Sequence, residues 1–346
     1  MCAFPISAQL SNFQLILISF LVKVRLMSEK TNSHRKISLL ARIAWMYYIQ
    51  GLTQEEIARK LDFSRTKVTR LLAQAREEGI VEINISRKFR TCFEIEEMLR
   101  ERFSLETVRV VPQGESPEDT REGVGVACAG YLEQNLTDGD IIGCSWGRNL
   151  YHVGRALRPV RDRDLTVVQL SGGMNTGGEL LPQKVMELMV SRMSARGIWL
   201  NTPAVVAHLD IKKALIRDSS ISEAITLGKG CNKALVGIGD FTDAASLVVT
   251  GSITREENQE LMHAGAVGDI LCRHYDINGK VVKSSIADRV MAISPEELSK
   301  IPLRIGVTSG KEKAMPILGA INGGYINALI TDEETANELL KLSNQK

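Results

Sequence analysis

The sequence predicts an α/β protein in two parts: an N-terminal helical unit and a larger C-terminal unit built on a largely parallel sheet. Three observations carry this prediction. Between residues 108 and 342, short apolar runs alternate with helical patterns, as strands joined by crossover helices do. Residues 38–78 read as helices separated by tight turns. The two parts also differ in charge. The chain has 346 residues, about two domains at ~150 residues each. With 44% hydrophobic and 24% charged residues it is an ordinary globular sequence, which excludes disorder, collagen and coiled coil as whole-chain descriptions.

The net charge of +2 predicts no polyanionic partner by itself, but it hides an asymmetry. Residues 28–90 hold 13 Lys and Arg against 7 Asp and Glu, a balance of +6, whereas residues 91–346 carry −6. A basic front and an acidic bulk point to different partners for the two parts. The cysteines Cys2, Cys92, Cys128, Cys144, Cys231 and Cys272 have no C-x-x-C spacing and no histidine cluster beside them. Neither a zinc site nor a disulfide framework is expected, and scattered buried thiols fit a reducing cytoplasm.

The first element is not expected to belong to the folded protein. Met1–Val22 carries no charge, and its apolar stretch Phe13–Val22 is too short for a bilayer, which needs ~20 residues. A secretory signal would place basic residues before that stretch and a small-residue cleavage site after it. Here Lys23 and Arg25 follow it. Residues 1–27 are therefore read as an over-extended N-terminus with Met27 as the start, the alternative being a real N-terminal anchor, and no membrane partner is expected.

The second region, 28–90, reads as a winged helix-turn-helix. Leu39, Leu40, Ile43, Ala44, Met46, Tyr47 and Tyr48 make a broad apolar helical face that stops at Gly51. Thr53-Gln54-Glu55-Glu56 is a capping box opening a helix that turns Ile57, Ala58 and Leu61 inward. After Asp62-Phe63, Ser64 can cap a third helix with Val68, Leu71, Leu72 and Ala75 on one face. Arg65, Thr66, Lys67, Thr69 and Arg70 crowd its first turns on the other. A recognition helix meets base edges with those turns, where Arg and Lys donate to guanine and Thr reaches bases or phosphate. Thr53, Gln54, Ser64, Arg65, Thr66, Lys67, Thr69 and Arg70 are thus the candidate DNA-binding residues. The alternation over Ile80–Ile85, followed by Arg87, Lys88 and Arg90, predicts a basic β-wing.

The third region, 91–346, opens with a helix over Cys92–Arg102. Strands are expected at Val108–Val111, Ile141–Cys144, Thr166–Leu170, around Trp199–Leu200, and at Leu235–Ile238, Ile270–Tyr275, Arg304–Val307 and Ala328–Ile330. Small polar and glycine residues mark strand ends in Gly143–Arg148, Ser171–Gly173, Gly237–Asp240 and Thr308–Lys313. Ligands of parallel sheets sit at such carboxyl ends, where glycine lets the backbone approach and helix N-termini favour anions. There is no Walker motif and no GxGxxG before a helix. A small anionic ligand is expected, with Lys311 and Lys313 adding charge. Asp269, in a glycine-lined strand start, could accept hydrogen bonds from sugar hydroxyls or simply occupy a turn.

From about residue 38 onward the chain resembles the SorC family of sugar-binding transcriptional regulators. The stretches that carry the resemblance are ARIAWMYYIQGLTQEEIARKLDFSRTKVTRLLAQAREEGIV, GCSWGRNL, VQLSGG, GAVGDIL, RIGVTSGKEKA and GGYINALITDEETA, within a region of about 90% of the chain. The resemblance implies a winged helix-turn-helix followed by a Rossmann-like effector domain of the glucosamine-6-phosphate deaminase, ribose-phosphate isomerase and CoA-transferase type. It implies a repressor of a carbohydrate or polyol utilisation operon, a phosphorylated sugar or polyol effector, double-stranded operator DNA as partner, and a homodimer or homotetramer. Carried over by motif, Ser145, Gly172 and Gly173 would line the pocket, Asp269 would hold sugar hydroxyls, and Ser309, Gly310, Lys311 and Lys313 would hold the phosphate. The sequence departs from the family at Thr308-Ser309, where Ala-Gly is commoner. Ser309 could donate to phosphate or narrow the loop.

An enzyme of the isomerase or deaminase type fused to a DNA-binding domain is the alternative. General acid–base work on a sugar calls for a positioned base, often a carboxylate–histidine pair. His274 lies five residues after Asp269, so on one continuous strand the two side chains would face opposite sides. His34, His152, His208 and His263 offer no better partner. A non-catalytic switch without cofactor or metal is expected. A purely structural or protein-binding module would need neither a basic recognition helix nor glycine loops at strand ends.

Overall fold

The computed structural model describes residues 36–83, 86–174, 182–242 and 246–344. Residues 1–27, read above as an over-extended N-terminus, lie outside the described residues. The chain forms two compact units, Met1–Ile85 and Ser86–Lys346.

In the first unit, helix α1 runs over residues 36–48, α2 over Gln54–Leu61 and α3 over Arg65–Glu77. Each boundary has a local cause. The Thr53 side chain accepts from the Glu56 N–H at 3.3 Å while Glu56 Oε2 takes the Thr53 N–H at 2.8 Å, so the capping box is closed. Asp62 ends α2 in the left-handed conformation, with φ 51°. Ser64 then accepts from the Lys67 N–H at 3.2 Å and opens α3. Leu40, Ile43, Ile57 and Val68 are fully buried where the helices meet, and burying such a side chain contributes roughly 1.5–3 kcal/mol.

Among the described residues the expected β-wing is not formed. Residues 80–83 form no strand, and 84 and 85 lie outside the described residues. Ile80 and Val81 pack against the three-helix core instead. Arg87, Lys88 and Arg90 fall on the first turn of the next helix, α4, which spans Arg87–Phe103 and starts well before the expected Cys92.

The second unit continues, in chain order, with β1 Thr107–Val111, α5 Pro117–Asn135, β2 Ile141–Cys144, α6 Arg148–Ala156, β3 Thr166–Gln169, α7 Pro182–Met193, β4 Arg196–Ile198, α8 Leu209–Ile216, α9 Ser219–Lys229, β5 Lys233–Val236, α10 Ser246–Val249, α11 Arg255–His263, β6 Gly268–Ile270, β7 Arg273–Tyr275, α12 Pro295–Leu298, β8 Leu303–Val307, α13 Ala314–Asn322, β9 Ala328–Asp332 and α14 Glu333–Ser343. Seven strands form one parallel sheet in the order β1-β9-β8-β5-β2-β3-β4. Strand alternation feeds two cores. Val108, Val110, Ala234 and Val236 face α4, α13 and α14, while Ile142, Leu235, Ile305 and Ile330 face α5, α6 and α7. The result is a three-layer, doubly wound α/β unit.

Several strand limits differ from the sequence reading, most by a residue or two. β4 lies at Arg196–Ile198 rather than around Trp199–Leu200, and β5 ends at Val236, releasing Gly237–Asp240 as a loop. A larger difference concerns Ile270–Tyr275. It is not one strand but the turn and second arm of an antiparallel hairpin, β6–β7, with Leu271 at φ 51° and Cys272 at φ 62°. Asn-Gly would have announced such a turn. Leu-Cys gives no such signal.

The described cysteines are all buried, and burial pushes the thiols of Cys144 and Cys231 up to about 12, so they stay protonated at neutral pH. Among the described residues no helix is long and apolar enough to cross a membrane. Helices α5 and α6 approach closely at Gly125. A Cβ at Gly125 would lie 2.5 Å from His152 Cβ and 2.6 Å from the His152 carbonyl carbon. Gly125→Ala should therefore destabilise the protein by about 1–3 kcal/mol, read as a lower urea midpoint; an unchanged midpoint would mean that α6 yields freely.

Candidate effector cavity and nucleic-acid face

In the helical unit, Arg65, Thr66, Lys67, Thr69 and Arg70 are exposed on the first turns of α3, opposite its buried face. Two contacts shape that face. Thr69 Oγ1 donates to Gln54 Oε1 at 2.6 Å, tying α3 to the start of α2. Lys67 Nζ stands 3.6 Å from the centre of the Phe63 ring, a cation–π contact that holds the ammonium over the inter-helix turn. Thr53 and Ser64 use their hydroxyl oxygens as helix caps, so they place the helices rather than extend from them.

In the α/β unit, the strand connections reverse direction between β2 and β5. From β2 the sheet grows through β3 to β4, whereas from β5 it grows the other way through β8 and β9. Loops leaving two such neighbours diverge and leave a crevice at their carboxyl ends. A cavity of about 140 Å³ occupies that position, lined by residues following β2, β5 and β8 and by the tip of the β6–β7 hairpin. Its volume suits a small ring-sized molecule.

Each loop is fixed from within. Ser145, buried after β2, accepts the Gly237 N–H from the β5 loop at 3.0 Å. Gly239 pairs with Asp269 through backbone hydrogen bonds, and a Cβ at Gly239 would fall 1.7 Å from Asp269 Oδ1. Only glycine admits that carboxylate. Lys313 Nζ lies 2.5 Å from Asp240 Oδ2. Burial opposes ionisation of Asp240, but Lys313 and the Thr242 hydroxyl and N–H outweigh it and hold the carboxyl below its usual range. Burial pushes Asp269 up to about 6; Lys313 draws it down and Asp240 raises it.

Four of the expected effector residues, Ser145, Asp269, Ser309 and Lys313, line the cavity together, and four do not. The Gly172 and Gly173 N–H groups donate at 2.8 Å to the carbonyls of Met291 and Thr202. A Cβ at Gly172 would meet Pro203 O at 2.4 Å, so this glycine serves backbone packing. The Gly310 N–H donates to Asp332 Oδ2 at 3.0 Å. Lys311 is exposed, 3.9 Å from Glu334. Lys311–Lys313 form a 3₁₀ turn, where residues two apart point about 240° apart, so the two lysines diverge.

The cavity also contains residues the sequence reading passed over. Arg121 reaches it from α5, held at 2.7 Å by Glu118, which also meets His152 Nε2 at 2.8 Å. Arg148 and Asn149 reach it from the first turn of α6, which has no side-chain cap. The GCSWGRNL stretch contained Arg148 and Asn149; nothing in the sequence singled out Arg121, which is remote from the loops. Among the described residues, Trp146 Nε1 and the fully buried Ser171 Oγ in the wall have no protein hydrogen-bond partner. Buried polar atoms are rarely left so, and a polar ligand would satisfy them.

His274 requires a correction. It pairs directly with Asp269 across the β6–β7 hairpin, so the two project to the same side of the ribbon, not to opposite sides. Among the described residues no hydrogen bond joins them and no histidine lines the cavity. His274 packs 5.6 Å from the Phe241 ring, and burial together with Arg273 lowers it to about 4, leaving it neutral near pH 7.

A cavity at the switch point of a parallel sheet, on a chain that also carries a basic three-helix unit, is the layout of a ligand-responsive regulator. The sugar-binding domain family model matches residues 87–341. The deoxyribonucleoside regulator of Bacillus subtilis is 32% identical over 310 residues, covering 88% of this chain and 98% of its own. The transcriptional regulator LsrR of Escherichia coli K12 is 33% identical over 306 residues, covering 87% and 94%. The full-length sorbitol operon regulator SorC of Klebsiella pneumoniae superimposes with a TM-score of 0.71 at 31% identity, covering 88% of this chain and 98% of that one. The chain belongs to the SorC family of transcriptional regulators with a sugar-binding domain.

The raised Asp269 has a consequence for stability. Its folded value of about 6 exceeds the ordinary 3.8, so the folded protein keeps a proton that the unfolded chain releases, and stability falls as pH rises from ~4 to ~6. Asp269→Asn should flatten that slope and raise stability at pH 7.5 by on the order of 1 kcal/mol. Thermal melts across pH check this; a variant less stable than the parent at pH 7.5 would contradict it.

Proposed function

We propose that this protein is a repressor of a carbohydrate or polyol utilisation operon, controlled by a phosphorylated sugar or polyol bound in the cavity. The observation that carries this reading is the cavity's charge pattern. Arg121, Arg148 and Lys313 reach it beside the carboxyls of Asp240 and Asp269, and among the described residues Ser171 Oγ and Trp146 Nε1 have no protein partner there. Cations suit a phosphate, and carboxylates and hydroxyls suit sugar hydroxyls. Because Gly310 and Lys311 do not line the cavity, the phosphate end is assigned to Lys313, Arg148 and the uncapped first turn of α6, a favourable place for an anion. Asp269 is assigned the sugar hydroxyls.

The exposed face of α3 is assigned to operator DNA, bound by a homodimer or homotetramer in the cytoplasm. Effector and operator are linked: an effector that favours the DNA-incompetent form lowers operator affinity by at most its preference for that form. We read the cavity as non-catalytic, because its carboxylates have no histidine partner there.

Electrophoretic shift assays with phosphorylated sugars and polyols, at two salt concentrations, test this reading. At least one should weaken operator binding, and Arg148→Ala should bind operator as the parent does while needing roughly tenfold more effector. If no phosphorylated compound changes operator binding, the effector assignment fails. Arg65→Ala and Arg70→Ala should each weaken operator binding by about 1–3 kcal/mol with unchanged circular dichroism. Parent-like binding by both would remove α3 as the reading helix.

A further inference from the structure

Ser309 and Asn149 stand on opposite sides of the crevice. Ser309 follows β8 by two residues, and Asn149 is the second residue of α6, after β2. In the sheet β5 lies between β8 and β2. The strands carrying these residues are therefore two spacings apart, roughly 9.6 Å. Yet the Ser309 hydroxyl donates to Asn149 Oδ1 at 2.9 Å. Two loops rooted that far apart meet only by leaning toward each other across the carboxyl end of β5, where the Gly237–Asp240 loop emerges.

Both partners line the cavity, so the bond is part of its wall. The flanking anchors limit how far either side can retreat. On one side, Lys313 is paired with Asp240 at 2.5 Å. On the other, Ser145 accepts the Gly237 N–H at 3.0 Å. A single neutral hydrogen bond contributes little net, because water competes for both groups, so a ligand can displace it.

We propose that the Ser309–Asn149 hydrogen bond is a latch across the cavity that sets ligand size, excluding bulkier phosphorylated compounds unless they break it. This rests on the reading of the cavity as a phosphorylated-sugar site. It differs from a direct role in phosphate binding, in which the Ser309 hydroxyl would serve every phosphorylated ligand alike. The latch acts on the difference between ligands.

The test is calorimetric titration of the full chain with glycerol 3-phosphate, ribose 5-phosphate and glucose 6-phosphate, a series of rising size. It compares the parent with Ser309→Ala, Asn149→Ala and the double variant. In each single variant the affinity for glucose 6-phosphate relative to glycerol 3-phosphate should rise about tenfold, the scale on which one steric contact discriminates. The double variant should add little, because both changes remove the same bond. An unchanged ratio overturns the latch. An equal loss for all three ligands in Ser309→Ala also overturns it, since the hydroxyl would then be a ligand donor. If the parent binds none of the three, the reading of the cavity falls first and takes the latch with it.

Discussion

The reversal of strand winding between β2 and β5 is the constraint on which the rest of this structure depends. It sends the loops after these neighbours in different directions and opens a crevice that backbone packing alone does not fill. Each feature of the cavity then follows from where its chain segment must go. β2 runs through Ser145 and Gly147 into α6, which packs with α5 and α7 on one face. β5 opens into Gly237–Asp240, and the β6–β7 hairpin returns Asp269 against Gly239. β8 supplies Ser309 and Lys313 from the far side.

Charge in the two units works on different scales. The balance of +6 over residues 28–90 suits DNA, since a basic surface attracts a polyanion through its overall field. Residues 91–346 carry −6, so any anion in the cavity must be held by local geometry against that field. The local arrangement is suited to it. Lys313 offsets Asp240, burial raises Asp269 to about 6, and Arg121 is kept in place by Glu118.

Features governed by local chemistry were legible in the sequence. The capping residues Thr53 and Ser64 sit where the spacing of polar and apolar residues placed them, and alternating strands and helices gave the parallel sheet. The sequence also marked the strand ends that form the cavity. What it hid depends on contacts distant in the chain. Gly172 and Gly173 look like ligand-facing glycines, but their N–H groups are taken by Met291 and Thr202. Ser309 finds its partner 160 residues away. The hairpin turn at Leu271-Cys272 adopts left-handed backbone with two residues that ordinarily avoid it, so no local pattern could announce it. The wing was misplaced because Ile80 and Val81 fit an alternating strand as readily as a packed connection to the helical core.

Under the proposed function, occupation of the switch-point cavity and operator binding are two sides of one equilibrium. Linkage makes that claim reciprocal: the factor by which effector weakens operator binding must equal the factor by which operator weakens effector binding. The direct measurement is calorimetric titration of an active phosphorylated effector into free protein and into the protein–operator complex. Binding to the complex should be weaker, by the same factor that effector imposes on operator affinity. Equal affinity for the free and DNA-bound protein would contradict it.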